Sequence, residues 1–331
     1  MVPQGPPIDL TCFLHVAAQL LWQLDPFKAQ LAALTTPADP LVSGVQMLMA
    51  EISKSRASEG SPALSPALLH TALQVLYAEQ TRNLLESQPL HEMFETVLTK
   101  FCEARDSSFV SNVEKLLNIG VLEMCECECG EMLEPMTYKQ SACFVSVPAL
   151  LGAQSGQPGS SLLHQLSSAI GPGCPLPNCA KQMSIQRYLM QPTPQVLAVS
   201  FTYDSMGGAA YEANVLSALF ARVETQFDLQ QTYKGVSQPM MVQLVGMLCC
   251  AQGVPTPRYS ALFFDATARQ WCSLDDSSYS PIGPHWSAVA AHCPPLQIQP
   301  AVLFYQVQPS SPAHSSGLDT AAAPAPGLAS S

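Results

Sequence analysis

The sequence predicts a mixed α and β fold, and three observations carry that reading. Apolar residues recur with a helical period through most of residues 12 to about 118. From Val121 the texture changes to short strand-like runs. Residues 241 to 307 then hold a second series of such runs.

The first helix begins around Cys12. Phe13, Leu14, Ala17, Leu20, Leu21 and Leu24 are apolar, while Gln19 and Gln23 are polar. A thiol at the head of a helix meets free N–H groups and the positive end of the helix dipole, which favour the thiolate. Cys12 is therefore placed as a nucleophile or as a buried structural cysteine, and the stretch by itself leaves both readings open. Further helical patterns run through Leu68, Leu69, Leu73, Val75 and Leu76, and through Leu90, Met93, Phe94, Val97, Leu98 and Phe101. Segments rich in Pro, Ser and Gly (Thr35 to Pro40, Ser55 to Pro66) separate them.

Strand-like pieces follow at Val121 to Met124, Thr137 to Val147, Met183 to Leu189 and Gln195 to Tyr203, with a Gly/Ser/Gln loop from Gly152 to Ser161. Met241 to Cys250, Tyr259 to Phe264, Gln270 to Leu274 and Ala301 to Val307 read as further strands. After Gln308 the chain is Pro, Ser, Ala and Gly with almost no large apolar residue, which predicts a disordered tail over 309–331.

Composition narrows the function. The 331 residues include only 12% charged side chains and sum to a net charge of −11, which argues against nucleic acid, a ligand that needs a basic face. No run of 18 apolar residues is present, so no membrane span is expected. Met1 to Ile8 lack a charged and an apolar signal region, so a cytoplasmic or nuclear location is expected. The 12 cysteines read as reduced thiols plus a metal site rather than a disulfide scaffold.

That metal site has visible halves. Cys125-Glu126-Cys127-Glu128-Cys129-Gly130 and Cys174-Pro175-Leu176-Pro177-Asn178-Cys179 lie about 45 residues apart. Four thiolates held tetrahedrally make a structural zinc site. The second half is C-x4-C; the first offers Cys125 with Cys129, or the tighter Cys127 with Cys129. Glu126 and Glu128 carry hard oxygen donors and are expected to face water.

Two stretches carry a family resemblance. Thr11-Cys12-Phe13-Leu14, with Gln19 and Trp22, is similar to the Cys box of the ubiquitin-specific proteases, and Tyr259 to Phe264, Trp271 and Asp275-Asp276 are similar to their His box and F-D-D turn. Ile282-Gly283-Pro284-His285-Trp286 echoes the subgroup labelled inactive ubiquitin carboxyl-terminal hydrolases. The resemblance covers about residues 8 to 307. It implies an α+β, papain-like ubiquitin-specific protease fold over 1–308. A helical thumb (about 8–118) would pack on a β palm (about 191–308), with β fingers (about 119–190) between them. It also implies a fingertip Zn²⁺ held by Cys129, Cys174 and Cys179 with Cys127 or Cys125 as the fourth ligand, and ubiquitin or ubiquitinated proteins as partners.

The same resemblance assigns the chemistry. Cys12 stands at the nucleophile position and Asp275 at the residue that orients the imidazole, with Asp276 beside it. The slot of the imidazole holds Arg258, and no histidine occurs between His164 and His285. A guanidinium stays protonated and cannot serve as a general base. The slot of the asparagine that stabilises the oxyanion holds Pro7, which has no donor. His15, one helical turn after Cys12, takes an asparagine slot and is a conceivable substitute base, while His285 and His292 read as surface helix positions. The expected function is ubiquitin binding with little or no isopeptidase activity; the alternative is an active cysteine-type deubiquitinase working through Cys12.

Overall fold

The computed structural model describes residues 10–33, 42–47, 49–50, 90–103, 107–152, 161–167, 170–203, 211–251, 258–275 and 278–308. The helical pattern around Leu68 to Leu76, most of the Gly152 to Ser161 loop and the expected tail lie outside these residues.

Helix α1 (Leu10–Gln23) follows the predicted period. Phe13, Val16, Ala17, Leu20 and Leu21 are fully buried. Helix α2 (Asp25–Ala32) has proline in its first turn, where the missing N–H costs no bond. Helices α3 (Leu90–Cys102) and α4 (Ser107–Leu117) extend the helical layer, to which the helical residues 42–47 and 49–50 also belong through Val42, Val45 and Met49. Phe101 joins them, with its ring 6.0 Å from that of Phe27 and 5.9 Å from that of Phe109.

The remaining elements form two sheets. In the first, β1 (Ile119–Glu126), β2 (Met136–Gln140), β4 (Ile170–Gly173) and β5 (Gln182–Leu189) are antiparallel in the order β2-β1-β5-β4. This is the expected finger sheet. The Nε of Arg187 donates to Glu123 Oε2 at 3.0 Å, and the Tyr138 hydroxyl donates to the same oxygen at 3.1 Å.

The second sheet is the palm. It contains β3 (Cys143–Ser146), β6 (Val196–Thr202), β7 (Gln226–Asp228), β8 (Met241–Ala251), β9 (Arg258–Asp265), β10 (Gln270–Leu274), β11 (Tyr279–Gly283) and β12 (Ile298–Val307). Its order is β11-β10-β9-β8-β12-β6-β3, with β7 beside β8. Only the β3–β6 pair is parallel among the described strands.

One expected strand is corrected. Thr137 to Val147 is not continuous: β2 belongs to the fingers, β3 to the palm, and Val147 starts helix α5 (Val147–Leu151). The cause is local chemistry. The Ser146 hydroxyl accepts the Ala149 N–H, Pro148 sits in the first turn, and Gly152 closes the helix at φ 76. Short helices α6 (Leu162–Ser167), α7 (Ala213–Phe220) and α8 (Trp286–His292) accompany the palm.

Period-two alternation gives the palm two buried faces. Leu248, Cys250, Tyr259, Ala261, Phe263, Val302 and Phe304 join the helical layer in one core. Met247, Cys249, Leu262, Leu303 and Tyr305 join α7, α8 and the finger base in the other. Helix α1 lies against β8 and β9 in the first core. Gly246 permits that approach: a methyl group there would sit 2.7 Å from Leu20 Cδ1 and 3.1 Å from the Leu262 carbonyl oxygen. Among the described residues, no helix is long and apolar enough to cross a membrane.

Candidate functional site

Helix α1 delivers Cys12 to the start of β9. The thiol is 9% exposed, and its Sγ lies 3.9 Å from the Tyr259 carbonyl oxygen, to which it donates. The rings of Phe13 and Tyr259 meet edge to face at 5.6 Å and fix the approach.

Arg258 is the first residue of β9, adjacent to Tyr259, and its side chain is exposed. The structure thus brings the position of the expected base next to the thiol's acceptor, and an arginine occupies it. Asp275 follows the last residue of β10, one step beyond the Leu274–Ala261 pair. Its carboxylate Oδ1 accepts the Ser278 N–H at 2.6 Å, and its own N–H donates to the Ser278 carbonyl at 3.1 Å. Among the described residues, there is no ion pair between Arg258 and Asp275. Pro7 and Asp276 lie outside the described residues.

His15 is buried at 6% exposure, and Gln19 at 1%. The Gln19 amide engages His15 Nε2 one turn further along α1, which orients the imidazole. His285 and His292 flank or end α8, whose Val289 packs in the core on the other side of the palm from Cys12. One residue of this site was not expected. Cys250 is the register partner of Tyr259, so it shares that residue's face. In an apolar run such as Met247-Leu248-Cys249-Cys250, a cysteine carries no sequence signal beyond that of a small hydrophobe.

The second site is at the fingertip. The sulfurs of Cys127, Cys129, Cys174 and Cys179 all lie within 4.8 Å of one another. Cys127 and Cys179 are 3.6 Å apart, as are Cys129 and Cys174. A tetrahedron with metal–sulfur bonds of about 2.3 Å has an edge of about 3.8 Å, so the spacing fits one metal ion with four soft donors. The expectation left Cys127 and Cys125 as alternatives; Cys127 joins the cluster and Cys125 stays on β1, paired with Ile185.

The backbone is arranged for sulfur anions. The N–H groups of Cys129, Glu131 and Leu176 point at the sulfurs of Cys127, Cys129 and Cys174. The bond from Glu131 and the neighbouring Cys127 side chain pull the Cys129 thiol down to about 7. Gly130, at φ 90, makes the turn and donates its N–H to the Cys127 carbonyl at 2.8 Å. Glu128 faces water as expected and pairs with Lys181 at 2.6 Å.

Comparison with known proteins places this geometry among others. The family model described as ubiquitin carboxyl-terminal hydrolase matches residues 8–305. The chain is 25% identical over 324 residues to mouse ubiquitin carboxyl-terminal hydrolase 54, covering 90% of this chain and 20% of that protein. It is 25% identical over 331 residues to human ubiquitin carboxyl-terminal hydrolase 53, covering 90% of this chain and 29% of that protein. The chain therefore spans less than a third of the length of these relatives. Among solved structures, a SAGA DUB module with Ubp8, Sgf11, Sus1 and Sgf73 bound to monoubiquitin matches at TM-score 0.60 and 12% identity, over 92% of this chain and 69% of that one. The same module bound to ubiquitin aldehyde matches at TM-score 0.59 and 12% identity, over 93% and 72%.

Proposed function

This chain belongs to the ubiquitin carboxyl-terminal hydrolase family, and from that premise we propose that it binds ubiquitin and hydrolyses ubiquitin conjugates weakly or not at all. One observation carries the reading: Arg258, a permanent cation, occupies the position next to Tyr259, whose carbonyl takes the Cys12 thiol. Isopeptide hydrolysis needs a thiolate, a base that takes its proton and returns it to the leaving amine, and donors for the oxyanion. Cys12 supplies a sulfur, and Arg258 supplies no proton acceptor. Pro7 supplies no N–H. Asp275 spends a carboxylate oxygen on its own turn at Ser278.

Cys127, Cys129, Cys174 and Cys179 would hold zinc, which would supply a structural cross-link between the two finger loops and no reactive position, since all four ligands would be protein sulfurs. The fold then serves as a recognition surface, with ubiquitin or a ubiquitinated protein as the partner. The two solved relatives named above are bound to monoubiquitin and to ubiquitin aldehyde, which supports that choice of partner.

The alternative, an active deubiquitinase, rests on His15, a buried imidazole one turn from Cys12 and oriented by Gln19. Purified protein with a fluorogenic ubiquitin substrate and a panel of linked diubiquitins separates the two. Saturable ubiquitin binding without release of product supports the proposal. Turnover that disappears in Cys12→Ser overturns it, and retention of that turnover only while His15 is present establishes the alternative.

A further inference from the structure

Cys250 has no place in the proposed function, yet it shares a wall with Cys12. We propose that Cys12 and Cys250 form a redox pair, in which oxidation of Cys12 by a peroxide is resolved into a reversible Cys12–Cys250 disulfide.

The placement follows from register. Cys250 on β8 is paired with Tyr259 on β9. Partners across antiparallel strands put their side chains on the same face, with Cβ atoms about 4.5–5.5 Å apart. Tyr259 is also the residue whose carbonyl oxygen lies 3.9 Å from the Cys12 sulfur. Cys12, Cys250 and Tyr259 belong to one core, whereas the neighbouring Cys249 faces the core on the other side of the sheet. Electrostatics agrees with the proximity: burial, and then the charge of Cys12, push the Cys250 thiol up to about 12.

The chemistry balances. The Cys12 thiolate attacks hydrogen peroxide, the O–O bond breaks, and a sulfenic acid and hydroxide form. The Cys250 sulfur then attacks the Cys12 sulfur, the S–O bond breaks, and the oxygen leaves as water with the Cys250 proton. Overall, two thiols and one peroxide give one disulfide and two waters. The linkage would bridge α1 to the end of β8 and occupy the Cys12 sulfur. The inference is independent of whether the chain binds ubiquitin.

The experiment treats the purified full chain with hydrogen peroxide, blocks remaining thiols by alkylation, and maps the peptides by mass spectrometry before and after dithiothreitol. The expected result is a peptide pair joined through Cys12 and Cys250, with alkylation of Cys12 recovered after reduction. Cys249→Ser should leave that linkage in place. Cys250→Ser should divert Cys12 to sulfinic acid and lose at least about half of the recovery, because no resolving thiol remains. Wild-type chain in which Cys12 stays alkylatable, goes to sulfinic acid, or joins a different cysteine overturns the proposal without recourse to any variant.

Discussion

The sulfur of Cys12 lies 3.9 Å from the carbonyl oxygen of Tyr259, so the thiol is held by the residue that follows Arg258. One strand end thus fixes both the resting thiol and the position from which a base would serve it.

Arg258→His should therefore gain activity that Arg258→Ala does not. General acid–base catalysis contributes about 10²–10⁴-fold. An oxyanion donor contributes about 10²–10³-fold. Restoring only the imidazole leaves Pro7 in place, so the gain should be partial. Against Arg258→Ala, Cys12-dependent release from a fluorogenic ubiquitin substrate should rise about 10-fold or more. Equal rates for the two variants would show that position 258 does not limit the reaction.

The fingertip gives a second prediction. Four sulfurs within 4.8 Å of one another predict one zinc per chain in purified protein, measurable by inductively coupled plasma mass spectrometry. Cys129→Ser or Cys179→Ser should remove the metal, and Cys125→Ser should leave the stoichiometry unchanged, since Cys125 sits on β1 outside the cluster. Metal binding contributes to folding where its ligands are otherwise apart, so a strong chelator should expose the finger amides to hydrogen exchange before those of the palm.

Different residues account for what the sequence disclosed and what it hid. The Phe13–Leu21 period, the palm strands β6, β8, β9, β10 and β12 and three of the four cluster cysteines were legible, because periodicity and ligand chemistry are local properties, whereas the short β7 and β11 were not expected. The choice between Cys125 and Cys127 was not, because it depends on how the Gly130 turn aims each sulfur at the opposite loop. The split of Thr137 to Val147 was hidden for a related reason: the strand-like Phe144-Val145-Ser146-Val147 hid a helix start set by the Ser146 hydroxyl. Cys250 was invisible because register between β8 and β9 is a long-range property.

The seat of α1 on the palm yields the third prediction. A methyl group on Gly246 would meet Leu20 Cδ1 at 2.7 Å and the Leu262 carbonyl oxygen at 3.1 Å. The leucine tip can turn away; the backbone oxygen cannot. Gly246→Val should cost about 1–3 kcal/mol in urea unfolding. It should also lift α1 from β9, weaken the hold of Tyr259 on Cys12 and speed alkylation of that thiol by iodoacetamide. Unchanged stability would mean that the helix does not depend on this close approach.

The last prediction concerns pH and lies on α3. Burial, and then the charge of Glu92, raise the Glu95 carboxyl to about 7, and its Oε1 is buried without a hydrogen-bond partner among the described residues. A carboxyl raised above its unfolded value of 4.5 holds its proton in the folded state where the unfolded chain has lost it. The stability tied to that proton is therefore fully present below pH 4.5 and is lost as pH rises through about 7. Glu95→Gln is neutral at every pH. It should melt with wild type at pH 4 and above wild type at pH 8. The gap should be about 1 kcal/mol, because solvent screens a carboxylate that is only half buried. Melting curves that run parallel from pH 4 to pH 8 would show that Glu95 ionises without cost to the fold.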